Sequence, residues 1–74
     1  MPRLPAFTPA ELVKVLERLG FKLDRTRGSH RIYLHPETRR RVVVPFHRAD
    51  LPRGTVQEIL RQAGLSRDEL AGLL

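Results

Sequence analysis

The chain has 74 residues and carries 14 Lys and Arg against 8 Asp and Glu. Its formal charge is +6 and its isoelectric point is near 11.3. It has no cysteine, which excludes disulfides and thiolate zinc sites and fits a reducing compartment. No apolar run reaches membrane-spanning length and no signal-peptide core is present. The expectation is a small single domain over residues 1–74.

The first five residues, Met1-Pro2-Arg3-Leu4-Pro5, read as a short tail. A helix then starts at a strong signal. Thr8 is the N-cap, Pro9 suits N1 and Glu11 at N3 completes a capping box, with Phe7 and Leu12 as its hydrophobic staple. Leu12, Leu16 and Leu19 recur at helical spacing, broadened by Val13 and Val15. Gly20 reads as the left-handed residue after the helix, and Phe21 as the residue folding back on Leu16.

The next region alternates like a sheet, with strands expected at residues 21–24, 31–35 and 41–44. Phe21 and Leu23 share one face of the first strand. His35-Pro36-Glu37-Thr38 reads as the turn after the second strand, and Pro45 ends the third. Short connections imply an antiparallel meander. The phase of the second strand is a puzzle. His30, Ile32 and Leu34 point one way, and Arg31, Tyr33 and His35 the other. Hydropathy favours the first set inward, which buries His30 unless it stands at the sheet's end or a bulge resets the phase.

Residues 46–52 read as a loop. Gly54-Thr55 opens a second helix, whose Val56, Ile59, Leu60 and Ala63 follow the helical pattern before Gly64 ends it. Ser66 and Glu69 form a second capping box, stapled by Leu65 and Leu70, and Leu70, Leu73 and Leu74 give a short last helix an apolar edge. The fold class is α+β, in the order α-β-β-β-α plus a C-terminal helix. Helices cover one face of a three-stranded antiparallel sheet and leave the other open.

The chemistry concentrates in Arg25-Thr26-Arg27-Gly28-Ser29-His30. The glycine allows a tight turn or a close approach to a ligand. Ser29 and His30 then emerge beside two arginines. His30 is the sharpest candidate for moving a proton. A surface histidine with no role explains the local pattern equally well. His30, His35 and His47 lack metal-ligand spacing, so no metal is expected. Arg39-Arg40-Arg41 reads as a phosphate clamp or as a solvated cluster that guards an edge. Arg53, Gly54 and Thr55 open a helix whose amides and dipole favour an anion. Tyr33 is a core or rim residue, or a platform for a base. The arginine-rich balance points to nucleic acid, because the guanidinium fork matches phosphate. A solvated arginine-rich surface and an acidic protein partner are the alternatives.

The chain resembles the HicA-type (YcfA-like) mRNA interferase toxins of bacterial and archaeal toxin–antitoxin pairs. The resemblance rests on Leu19-Gly20-Phe21, Arg25 with Gly28-Ser29-His30, and His35-Pro36. It continues through Val42-Val43-Val44-Pro45 and Leu51-Pro52-Arg53-Gly54-Thr55 into Ile59-Leu60-Arg61-Gln62-Ala63-Gly64-Leu65. It implies a fold like that of double-stranded-RNA-binding domains and ribosome-independent cleavage of mRNA in the cytoplasm, without a cofactor. It implies a catalytic His30 supported by Gly28 and Ser29, and inhibition by a HicB-type antitoxin. Arg25, Arg27, Arg39, Arg40, Arg53 and Thr55 are then candidate RNA contacts. The resemblance also turns His30 to the exposed side of the sheet and Tyr33 inward. The chain departs from the family at Arg31, where many members carry a second histidine, and at Pro36-Glu37-Thr38, where an aspartate–glycine turn is common. A non-catalytic RNA-binding module is the alternative function.

Overall fold

The computed structural model describes residues 7–46 and 50–73. The tail at residues 1–5, His47, Arg48 and Leu74 figured in the sequence reading and lie outside the described residues. Helix α1 spans Pro9–Arg18, strands β1, β2 and β3 span Lys22–Arg27, His30–Leu34 and Arg41–Pro45, and helices α2 and α3 span Arg53–Ala63 and Arg67–Leu73.

The local signals act as expected. The Glu11 amide donates to Thr8 Oγ1 at 3.2 Å, and the Thr8 amide donates to Glu11 Oε1 at 2.9 Å. This closes the box on α1 and satisfies two amides that no intrahelical carbonyl reaches. The Thr8 amide, and then the Thr8 hydroxyl at 3.1 Å, donate to the Glu11 carboxylate and favour its ionised form, so the Glu11 pKa lies below its ordinary value. At the other end Gly20 takes φ +97°. The Phe21 amide donates to the Leu16 carbonyl at 3.0 Å and the Gly20 amide to the Glu17 carbonyl at 3.1 Å, the Schellman pattern. Ser66 and Glu69 repeat the box on α3, at 2.9 and 3.1 Å.

The sheet is a meander in the order β1-β2-β3, antiparallel throughout. β1 is longer than its hydropathy suggests. It runs through Arg25, Thr26 and Arg27, so only Gly28 and Ser29 form the turn. Gly28 has φ +58°, whereas Ser29 keeps a negative φ. Glycine at the first central position is the requirement of a type II′ hairpin turn. β1 also carries a bulge between Leu23 and Arg25 that leaves Asp24 out of register.

The register fixes which residues share a face. Tyr33 lies opposite Val42 on β3, and both are buried beside Val44, Leu12, Leu16, Val56 and Ile59. The helical side of the sheet therefore holds Tyr33, and the open side holds His30, Ile32 and Leu34. This corrects the expectation from hydropathy alternation. Tyr33 is the largest fully buried side chain and supplies more core contact than Ile32 or Leu34 can. Its burial also removes it as a platform for a base. Leu23 lies opposite Tyr33 on the helical side, yet it is 52 % exposed while Phe21 is buried, because the helices lie against β3 and β1 is the far edge.

Long-range polar joints tie the layers together, two of them centred on Gln62 and His35. Gln62 on α2 accepts the Val43 amide of β3 through Oε1 at 2.9 Å, which pairs an edge-strand amide. Glu58 accepts from Gln62 Nε2 at 3.1 Å and from Arg61 Nε at 2.8 Å. The Arg61 hydrogen bond, then the Gln62 one, holds the Glu58 carboxyl at about 2, below its ordinary 4.5. The second joint is His35. Its Nδ1 faces the amides of Glu37 and Thr38, at 3.1 and 3.2 Å, and so must act as an acceptor. Nε2 therefore carries the hydrogen and donates to the Leu19 carbonyl at 2.9 Å. The ring also meets Phe21 edge-on with centroids 5.1 Å apart. His35 thus ties the β2–β3 turn to the end of α1.

Candidate active site

The site is built by a two-residue turn at one end of the open face. Arg27 and His30 flank the turn as a cross-strand pair, and His30 faces Pro45 on the other side. Cross-strand neighbours of this kind hold their Cβ atoms about 4.5–5.5 Å apart. The Ser29 carbonyl accepts the Phe46 amide at 2.6 Å, so the turn is anchored to the end of β3. Gly28, Ser29 and His30 are all exposed. The imidazole makes no hydrogen bond among the described residues. It stands at the sheet's end, on the side that no helix covers.

The open face around it is basic. Pairing places Lys22 with Leu34, Arg25 with Ile32, Arg27 with His30, and Arg41 with Leu34. The bulge at Asp24 puts both Arg25 and Arg27 on the His30 side. Arg25 lies 3.3 Å from Asp24 through Nε. Between these cations the face is aliphatic, made of Ile32, Leu34 and Val43.

The other candidates separate. In the arginine run, only Arg41 belongs to the open face. Arg39 sits in the β2–β3 turn with φ +64°. Arg40 reaches across to the end of α2, with Nη1 3.4 Å from the Gln62 carbonyl, where a cation complements the helix dipole. Arg31 points to the helical side and places its guanidinium carbon 3.8 Å from the Phe46 ring centroid. Arg31 is thus on the opposite face from His30, in a cation–π contact that braces the end of β3.

Arg53 and Thr55 lie in the first turn of α2, whose N-cap is Pro52. No side chain caps that turn and it contains no acidic residue. The Gln62–Val43 joint sets the C-terminal end of α2 beside the start of β3. Along its length α2 packs against β3.

Neither His35 nor Gln62 looked functional or structural from spacing alone. Their partners lie 16 and 19 residues away. Among the described residues no three His, Cys, Asp or Glu side chains could jointly hold a metal ion. Among the described residues no helix is long and apolar enough to cross a membrane.

The arrangement offers an exposed base, an adjacent guanidinium and a basic rim on a rigid sheet. Such a site can take a proton and hold a phosphate. No curated protein matches the chain. The family model for the HicA toxin of bacterial toxin–antitoxin systems matches residues 9–65, a span that includes the whole sheet, the turn and α2. With its α-β-β-β-α order and three-stranded antiparallel sheet, the chain belongs to the HicA toxin family of bacterial toxin–antitoxin systems, a family of ribonuclease toxins.

Proposed function

We propose that this toxin cleaves mRNA independently of the ribosome and without a metal, using His30 as general base. His30 takes the proton of a ribose 2′-hydroxyl, and that oxygen attacks the adjacent phosphorus. The bond to the 5′-oxygen breaks, leaving a 2′,3′-cyclic phosphate on one fragment and a 5′-hydroxyl on the other. Water supplies the proton to the leaving oxygen. The observation that carries this reading is the placement of His30. It is exposed at the end of the open face, directly across from Arg27, while Tyr33 fills the core in its stead.

The remaining site residues take supporting roles in this reading. Gly28 sets the turn, and Ser29 lies beside the phosphate. Arg25 and Arg27 hold the RNA backbone on the open face. Arg53 and Thr55 offer a helix start to a further phosphate. Arg39 and Arg40 extend the basic rim at the opposite end of β3. A cognate HicB-type antitoxin inhibits by covering the open face in the cytoplasm, and residues 1–74 act as one domain without a cofactor.

Product chemistry tests the reading. RNA is incubated with the protein in EDTA and the new ends are identified. Cyclic phosphate and 5′-hydroxyl ends support it, as does loss of cleavage when the scissile ribose lacks its 2′-hydroxyl. Binding without cleavage would favour the non-catalytic RNA-binding module. Cleavage that stops in EDTA would refute the metal-free mechanism.

A further inference from the structure

We infer that Arg27 is a catalytic residue of the cleavage site, holding the non-bridging phosphate oxygens as charge builds on them in the transition state. The inference rests on the proposed role of His30 and deepens it. The base must sit near the 2′-oxygen, which lies one bond from the phosphorus in the transition state. A group that stabilises the phosphorane must therefore come from a residue next to His30 on the same face.

The register leaves few such residues. On the open face His30 is flanked by Arg27 across one edge, Pro45 across the other and Ile32 along its own strand. Arg27 is the one cation among them. Among the described residues, the other cations of the sheet and its turns are engaged or distant. Arg25 is one pair further along the sheet, opposite Ile32, and rests against Asp24. Arg31 is on the helical face over Phe46, and Arg40 is docked on the Gln62 carbonyl. Lys22 and Arg41 both flank Leu34, about 13 Å along the strand from His30. Arg27 itself makes no hydrogen bond or ion pair among the described residues. The tight turn fixes its strand position relative to His30, which keeps the guanidinium within reach of a phosphate held beside the imidazole. Its fork can donate two N–H groups to two phosphate oxygens at once. The guanidinium only donates hydrogen bonds, so the proton taken by His30 and the one given to the leaving 5′-oxygen are accounted for without it.

The test compares steady-state cleavage of one defined RNA by wild type, Arg27→Ala, Arg27→Lys and His30→Ala, with Arg67→Ala on α3 as control. Thermal melts accompany each. Arg27→Ala is expected to lower kcat about 10²–10³-fold, with a smaller change in KM and an unchanged melt. Arg27→Lys should recover part of the loss, since it restores charge without the fork. Added guanidinium ion should also rescue Arg27→Ala in part. A rise in KM at unchanged kcat in Arg27→Ala would overturn the inference and leave the His30 reading standing. Full activity in folded His30→Ala would overturn that reading and this inference with it.

Discussion

His35 and His30 are predicted to fail in opposite ways when removed. His35→Ala deletes one bond to the Leu19 carbonyl and two from the Glu37 and Thr38 amides. It also deletes the edge contact with Phe21. The three hydrogen bonds contribute roughly 0.5–1 kcal/mol each, and the aromatic contact about 0.5–1 kcal/mol. The sum is roughly 2–4 kcal/mol, a large share of the stability of so small a domain. In a chain of this size each kcal/mol moves Tm by about 4–8 °C, so the melt should drop by roughly 10–30 °C. Cleavage per folded molecule, measured below that melt, should stay near wild type. His35→Asn retains an acceptor for the turn amides and should fall between the two. The assay is a calorimetric or circular-dichroism melt beside a single-turnover cleavage rate. A drop in Tm below about 4 °C, or a cleavage rate lost in fully folded His35→Ala, would refute the structural role.

Two further perturbations probe the scaffold. Arg39 adopts φ +64°, a conformation that costs a residue with a Cβ about 1–2 kcal/mol. Arg39→Gly should raise Tm by a few degrees and the β-branched Arg39→Val should lower it; a lower melt for the glycine variant would contradict the strain argument. Glu58 is held at about 2 in the folded chain. A depressed carboxyl stabilises the fold above its ordinary value of 4.5, and that contribution is lost as pH falls from 4.5 towards about 2. Glu58→Gln should therefore flatten part of the acid limb of a pH–Tm curve, and an unchanged limb would show that the Arg61–Glu58–Gln62 chain does not couple to folding.

What was legible in the sequence was local. Thr8 with Glu11 and Ser66 with Glu69 signal helix starts because the chemistry of a cap is confined to four residues. Gly20 and Gly64 mark helix ends for the same reason. The strands were harder. Arg25, Thr26 and Arg27 look like a loop by hydropathy, but a charged edge strand is a stable way to end a sheet. The phase of β2 was misjudged by alternation because Ile32 and Leu34 are more apolar than Arg31 and Tyr33. What decides it is tertiary. Tyr33 has the volume to fill the space under α1 and α2, and Arg31 finds Phe46. The resemblance to the toxin family gave the right face, where composition and periodicity gave the wrong one. The candidate arginines looked equivalent in sequence. Only the register separates Arg27, beside His30, from Arg40, which braces α2.

The central claim is that His30 acts as the base from an exposed position. It is tested most directly by cleavage rate and thermal melt measured together for wild type, His30→Ala and His30→Gln. General-base assistance is typically worth about 10²–10⁴-fold in rate, and an exposed side chain adds little packing. Both variants should therefore melt near wild type and cleave RNA more slowly by about that factor, since glutamine cannot accept the proton. A His30→Ala protein that melts like wild type and cleaves at the wild-type rate would contradict the account.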